Sequence, residues 1–134
     1  MGLERFIKAQ ERDYTTALAE IQQGRKSSHW MWYIFPQING LGYSEMSRHY
    51  GIKDMQEAKA YLDHPVLGKR LVSISKALLD QSGSARSIMG SPDDLKLRSC
   101  MTLFSLVPGA DPVFEQVLQK FFDGKKDPAT LELV

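Results

Sequence analysis

Five ring side chains stand within seven residues of the sequence: His29, Trp30, Trp32, Tyr33 and Phe35. Tryptophan and tyrosine join a large apolar body to a polar group that needs a partner when it is buried. Core packing is therefore the first interpretation for most of these rings. The alternative is that Trp30 or Trp32 forms a stacking wall for a planar ligand, with His29 as a catalytic proton donor or acceptor.

Polar side chains also interrupt the apolar segment 91–107, at Lys96, Arg98 and Thr102 among others. Arg98 and Thr102 lie about one helical turn apart and nearly share a face. A buried arginine must be paired, because an unpaired buried charge costs several kcal/mol. Arg98 therefore either bridges a carboxylate of the protein or binds an anionic ligand. Lys96 and Thr102 are candidate ligand-binding residues on the same helix.

Arg70 raises the same question at the edge of another core face, between Leu67 and Ile74. His64 precedes it at a helix start, where backbone N–H groups favour anions. A simple helix-boundary histidine is the alternative. Arg70 and His64 join the ligand-binding candidates, and so do Tyr43 and Ser44, which follow a short glycine-rich turn.

Standard catalytic and cofactor motifs are not found in the sequence. It contains no Gly-x-Ser-x-Gly elbow and no phosphate-binding Gly-x-x-x-x-Gly-Lys loop, and Gly40-Leu-Gly42 is only a fragment of a dinucleotide fingerprint. The histidines lack metal-binding spacing on a helix. Cys100 lies inside an apolar segment and is interpreted as a small buried hydrophobe. We therefore expect no metal site and no cofactor.

Apolar residues spaced by three and four predict helices along most of the chain. The first should cover about 3–23 and end at Gly24, and the aromatic block before Pro36 favours a short helix. Later start signals are Asp54 with Glu57, then Pro65, Ser91-Pro92, Asp111-Pro112 and Asp127-Pro128. Strand signals are weak. The sequence predicts an all-α fold, an irregular single-domain bundle over residues 1–134, with about six helices around the central apolar helix 91–107.

Composition limits the partners. The 134 residues carry 17 Lys and Arg against 16 Asp and Glu, a net charge of +1, which is too balanced for a nucleic-acid-binding surface. The apolar runs fall short of the roughly 20 residues that span a bilayer. A single cysteine fits a reducing compartment. We expect a soluble, cytoplasmic domain that binds neither nucleic acid nor membrane, and the sequence indicates no oligomeric state.

Several long stretches are distinctive enough to compare with known families. They are Gly24-Arg-Lys-Ser-Ser-His-Trp-Met-Trp-Tyr-Ile-Phe-Pro-Gln37, Gly40-Leu-Gly-Tyr-Ser44, Tyr61-Leu-Asp-His-Pro-Val-Leu-Gly-Lys-Arg-Leu71 and Asp94-Leu-Lys-Leu-Arg-Ser-Cys-Met-Thr-Leu-Phe104. Together they resemble the bacterial family catalogued as domain of unknown function 1810, over essentially the whole chain. The resemblance implies an all-α fold of this length and no established activity. Cys100 stands where this family leads us to expect serine.

Some members of that family carry a calpastatin label, but this chain has the composition of a folded domain, unlike a disordered inhibitory repeat. The order of elements is also similar to that of small helical domains that handle ADP-ribose and related N-glycosides. This similarity favours a pocket for a small anionic, nucleotide- or ADP-ribose-like ligand, with N-glycoside hydrolysis as the candidate reaction. Catalysis needs a carboxylate. Glu57 is the first candidate, ahead of Asp54 and Glu45, and a helix cap is its alternative role.

The alternative function is a non-catalytic protein-interaction module that uses the aromatic block. An exposed apolar patch of several hundred Å² would support it. The pocket hypothesis instead requires the cationic side chains to approach the block. The positions of Arg70 and Arg98 are therefore the observation that the structure must supply.

Overall fold

Nine helices form in residues 2–134, the part of the chain that the computed structural model describes. They are α1 Glu4–Gln22, α2 Met31–Ile34, α3 Glu45–His49, α4 Met55–Asp63, α5 Leu67–Leu79, α6 Ala85–Met89, α7 Asp93–Ser105, α8 Val113–Phe122 and α9 Pro128–Leu133. The predicted all-α class is confirmed. Helices α2, α3 and α6 have only four or five residues each. Such single turns carry no apolar periodicity, which is why the predicted number was nearer six.

Helix α7 is the central helix, as its apolar sequence predicted. It packs against α4, α6, α8 and α9, while α5 packs against α1, α4 and α8. Most of its middle, from Leu97 to Phe104, is buried. Cys100 lies there, and burial raises the pKa of its thiol well above the ordinary value. The thiol therefore stays protonated at neutral pH and is not a nucleophile.

Side chains cap the starts of four helices. Ser44, Asp54, Ser84 and Asp127 each accept a hydrogen bond from the backbone N–H three residues later, which satisfies a donor that the helix leaves free. The predicted Ser91 cap is wrong. Helix α7 follows Pro92 and has no side-chain cap, although the two aspartates of its first turn still face the positive end of the helix dipole.

One buried carboxylate holds the start of the aromatic block. Glu20 lies near the end of α1 and is only 7% exposed. Its Oε1 accepts hydrogen bonds from the N–H groups of Ser27 and Ser28, at 2.8 and 3.0 Å, and from Nε1 of Trp30 at 2.9 Å. Its Oε2 accepts from the Ser28 hydroxyl at 2.6 Å. Burial alone would raise the pKa of Glu20, but these four hydrogen bonds outweigh it and lower the pKa to about 2.

Three of the five rings of the block pack into the core. Trp30, Tyr33 and Phe35 are buried, Trp32 is half-buried and His29 is exposed. Only Met31–Ile34 is helical, because the chain must leave the helix before Pro36. Most of the rings are therefore packing residues, and His29 and part of Trp32 reach the surface.

Helix α1 also holds the block through a buried amide. Nε2 of Gln10 donates to the carbonyl of Tyr33 at 2.8 Å and to the hydroxyl of Tyr61 at 2.9 Å. The Tyr33 hydroxyl donates to Asp13 on the same helix, and this hydrogen bond lowers the pKa of the Asp13 carboxyl. Three turns of α1 thus fix the position of the block.

Beyond Pro36 the chain pairs briefly with a later segment. The N–H of Asn39 donates to the carbonyl of Ile52, and the N–H of Ile52 donates to the carbonyl of Gln37, both at 2.8 Å. This isolated parallel bridge closes a loop of residues 39–51 that contains α3. The loop therefore starts and ends at the same place on the surface.

None of the helices in residues 2–134 combines the length and the apolar character that a membrane span requires. The cytoplasmic location stays a prediction.

We expect Glu20→Gln to lower the free energy of unfolding at pH 7 by about 1.5–3 kcal/mol, because the amide loses the charge and its NH₂ cannot accept from Ser28. The deficit should depend on pH. The folded-state pKa lies below the ordinary value of 4.5, so the stability due to the carboxylate is complete above that pH and is lost as the pH falls towards 2. Urea unfolding across this range measures it.

Glu11→Gln is the matched control, since Glu11 is exposed on the same helix. Its stability should stay within about 0.5 kcal/mol of the wild type at each pH. An equal loss in both variants, or a deficit for Glu20→Gln that is unchanged from pH 7 to pH 3, would contradict the role given to Glu20.

Candidate functional site

A cavity of about 580 Å³, lined mainly by polar and charged residues, opens between the start of α1, the end of the 39–51 loop and α4. Its volume lies within the range of small-molecule sites, roughly 300–1,000 Å³. We call it the Arg5 cavity. It is lined by Gly2, Glu4, Arg5, Asn39, Arg48, His49, Gly51, Lys53 and Glu57.

Arg5 joins the parts of the chain that form this cavity. Its Nε donates to the carbonyl of His49 at 2.7 Å, and its Nη2 donates to the carbonyl of Gly51 at 2.9 Å and to Oε1 of Glu57 at 3.0 Å. Its Nη1 donates to the carbonyl of Gly2. A guanidinium can do this because its five donors form a rigid, planar fork. Arg5 thus holds α1, the loop end and α4 together.

Glu57 is the predicted catalytic acid, and it has a structural role as well. Its Oε1 accepts from Arg5 and also from the N–H of Lys53 at 2.9 Å. Its own N–H donates to Oδ1 of Asp54 at 2.9 Å, so the expected capping pair is present. The side chain is 14% exposed. Glu57 therefore acts as a hydrogen-bond acceptor at the wall of the cavity.

Two cations at the rim remain available. The side chains of Arg48 and Lys53 make no hydrogen bond or ion pair with residues 2–134. Arg5 and Glu57 balance each other in an ion pair, and Glu4 is the other carboxylate at the rim. The ring of His49 packs edge-on against Tyr50, with centroids 4.6 Å apart. The cavity thus carries an excess of positive charge.

Gly51 permits the close approach that shapes the cavity wall. A Cβ atom at this position would lie 2.9 Å from Cα of Asn39 and 2.8 Å from its Cβ. Any other residue would push apart the two chain segments that the bridge joins. Glycine therefore lets Asn39 face the cavity directly beside the loop end.

A second cavity, of about 320 Å³, lies on the other side of residues 37–41. We call it the Arg98 cavity, and its walls include Gln37, Leu41, Leu95, Lys96 and Arg98. Nζ of Lys96 lies 5.4 Å from the ring centroid of Trp32 and 3.6 Å from Oδ1 of Asp93. A recess of about 10 Å³ beside Trp32 and Gly51 lies between the two cavities.

Arg98 and Thr102 hold the turn before α9. Arg98 donates from Nε to the carbonyl of Lys125 at 3.1 Å and from Nη2 to the carbonyl of Lys126 at 2.8 Å. The hydroxyl of Thr102 accepts from the N–H of Asp127 at 2.9 Å. Arg98 is half-buried, and its partners are backbone carbonyls, which neither of the two sequence interpretations included.

Arg70 and His64 lie elsewhere. The Arg70 guanidinium stacks on Tyr14, 5.2 Å from the ring centroid, and reaches Oε1 of Gln10 at 3.5 Å. Nδ1 of His64 accepts from the N–H groups of Val66 and Leu67, at 3.1 and 3.2 Å, in the turn that leads into α5. Arg70 therefore meets the aromatic block only through the amide of Gln10.

The structure does not bring all the predicted site residues together. Lys96 meets Trp32 and shares a cavity with Arg98, whereas Glu57 lines the Arg5 cavity. His29 is exposed, Trp30 is buried against Glu20, Tyr43 is 84% exposed and Ser44 caps α3. Among the described residues, no group of three His, Cys, Asp or Glu side chains could hold a metal ion.

The family model described as protein of unknown function (DUF1810) matches residues 1–134, which is the whole chain. The chain belongs to the DUF1810 family. The crystal structure of the conserved hypothetical protein Rv1873 from Mycobacterium tuberculosis is similar to it, with 43% sequence identity and a TM-score of 0.96. The match covers 98% of this chain and 95% of that one. No curated protein matches the sequence. The DUF1810 resemblance read from the motifs is confirmed.

Sequence reasoning missed most of the residues that line the Arg5 cavity in this DUF1810 domain. Arg5 and Glu57 are 52 positions apart, and neither Arg48 nor Lys53 belongs to a recognisable motif. The available signal was weak. A basic residue in the first turn of a helix is electrostatically unfavourable, so Arg5 needed a partner that only the fold reveals.

We expect Arg5→Lys to lower the free energy of unfolding by about 1–3 kcal/mol, because one ammonium group cannot reach three carbonyls and a carboxylate at once. Chemical denaturation at pH 7 measures the loss. Arg25→Lys is the control, since Arg25 is exposed and its replacement should change stability by less than about 0.5 kcal/mol. Equal stability of the two variants would show that Arg5 does not join the cavity walls.

Proposed function

We propose that this DUF1810 domain binds a small phosphate-bearing, nucleotide- or ADP-ribose-like ligand in the Arg5 cavity. The observation that carries the proposal is the pair of rim cations, Arg48 and Lys53, which have no partner within residues 2–134. Long cationic side chains around a concave polar site are the groups that bind phosphate, Arg as a fork and Lys as a point charge.

The remaining walls of the cavity suit the rest of such a ligand. Asn39 offers an amide, with both a donor and an acceptor, and Glu57 offers a carboxylate edge. These groups match the hydroxyls of a sugar or the polar edge of a base. His49 adds a ring nitrogen near the phosphate-binding cations. The site therefore favours a phosphate joined to a polar body over a purely apolar anion.

N-glycoside hydrolysis is the reaction that this site would support, with Glu57 as the reacting carboxylate. Glu57 already accepts hydrogen bonds from Arg5 and from the N–H of Lys53. A carboxylate held as an acceptor suits the activation of water or the stabilisation of a positively charged sugar. It does not suit protonation of the leaving group, for which His49 is the nearer candidate in the same cavity.

An interaction module built on the aromatic block has less support. Trp30 and Phe35 are 1% and 0% exposed, so the block offers a partner little more than His29 and part of Trp32. The apolar area that such a module requires is used in the core.

We expect ADP-ribose and AMP to bind the wild-type domain and adenosine to bind at least about tenfold more weakly, because phosphate supplies the charge that Arg48 and Lys53 recognise. Arg48→Glu and Lys53→Glu should each weaken AMP binding by about tenfold or more. Isothermal titration calorimetry in a phosphate-free buffer measures the affinities. Raised salt should weaken binding in parallel.

Arg86→Glu is the control, because Arg86 is exposed on α6, lies outside the cavity and changes the net charge by the same amount. Equal binding of AMP and adenosine, or full affinity in Arg48→Glu and Lys53→Glu, would refute the proposed site.

The hydrolysis is tested on the same samples by chromatography of the free base released from NAD. Glu57→Gln should abolish that release while AMP still binds.

A further inference from the structure

A third hollow, which the sequence did not suggest, lies along α5 and is formed by different residues from those of the Arg5 cavity. It runs between the end of α4, one face of α5 and the turn 107–111, with a volume of about 480 Å³. We call it the Lys69 groove. The apolar side chains at its walls include Leu62, Val72, Ala110 and Phe114.

The charged side chains at the Lys69 groove differ in whether they already have a partner. Asp63 pairs with Lys59 at 2.7 Å, and Oδ1 of Asp111 accepts from the N–H of Val113 at 2.9 Å. Both carboxylates at the groove are therefore already engaged. Lys69 and Lys76, in contrast, are exposed and make no hydrogen bond or ion pair with the described part of the chain. The charged side chains of the groove that lack a partner within the described residues are thus both positive.

The spacing of the two lysines defines the shape of an occupant. They are seven residues apart on α5, two turns along the same face, which corresponds to about 10 Å at 1.5 Å per residue. Val72 lies between them and also faces the groove. Lys69 and Lys76 thus flank Val72 along the wall of the groove.

We propose that the Lys69 groove binds a linear anion with an apolar middle and a negative group at each end, of the medium-chain dicarboxylate class. Each carboxylate meets one lysine, and the chain lies on Val72 and Leu62. The volume of about 480 Å³ lies within the range of small-molecule sites. A stable protein interface would instead require upwards of about 1,000 Å² of buried surface.

Nonanedioate is the probe, because an extended nine-carbon chain with C–C bonds of about 1.5 Å spans about 10 Å. An NMR titration that follows the backbone amides of residues 69–76 should show saturable binding. Nonanoate, with one carboxylate, should bind about tenfold more weakly, and propanedioate, which has both charges without the apolar spacer, weaker still. Lys69→Gln and Lys76→Gln should each weaken the binding of nonanedioate about tenfold.

Arg86→Gln is the control, and it should not change the affinity for nonanedioate, since Arg86 is exposed and lies outside the groove. Affinity that survives both lysine substitutions would overturn the proposal, and so would equal binding of propanedioate, or no binding of nonanedioate. If the groove bound only an acidic helical peptide with carboxylates seven residues apart, it would be a protein-docking site and the small-molecule assignment would be wrong.

Discussion

A carboxylate taken out of water must find hydrogen-bond donors inside the protein, and Glu20 finds four in Ser27, Ser28 and Trp30. This requirement fixes the chain as it leaves α1 and turns into the aromatic block. The indole of Trp30 can be buried because its N–H is satisfied there. Gln10 holds the far end of the block through the carbonyl of Tyr33. The residues that follow Pro36 therefore emerge at a defined place, where Ile38 can pair with Ile52.

The Arg5 cavity is a consequence of that pairing. The bridge returns the 39–51 loop to its starting point, and Arg5 then joins the loop end to α1 and α4. The guanidinium of Arg5 is hydrogen-bonded within the protein, whereas the side chains of Arg48 and Lys53 line the cavity without a partner in residues 2–134. The two arginines that the sequence singled out follow the first pattern. Arg98 supports the turn before α9, and Arg70 stacks on Tyr14. Charge that remains without a partner, rather than charge that is buried, marks the candidate site.

The helices could be predicted from the sequence because their signals are local. Apolar spacing located α1, α5 and α8, and the Asp54 and Asp127 caps marked two helix starts. The buried middle of α7 was also readable, because most residues from Leu97 to Phe104 are apolar. The site was not readable, since it depends on pairs far apart in the chain. No sequence pattern marks Glu20 as a buried acceptor, and none marks the contact between Arg5 and Glu57. The aromatic density at 29–35 indicated packing, but it carried no information about the basic rim of the 39–51 loop.

The most direct measurement of the central claim is where a phosphate-bearing ligand binds. Backbone amide shifts in a ¹⁵N-labelled domain, followed during a titration with ADP-ribose, locate the contact residue by residue. The account predicts the largest shifts at Asn39 and at residues 48–53, around the rim cations of the Arg5 cavity. Shifts centred on Lys96 and Arg98 would contradict it. So would the absence of any saturable shift at about 5 mM ADP-ribose, a concentration at which a specific nucleotide site should be occupied.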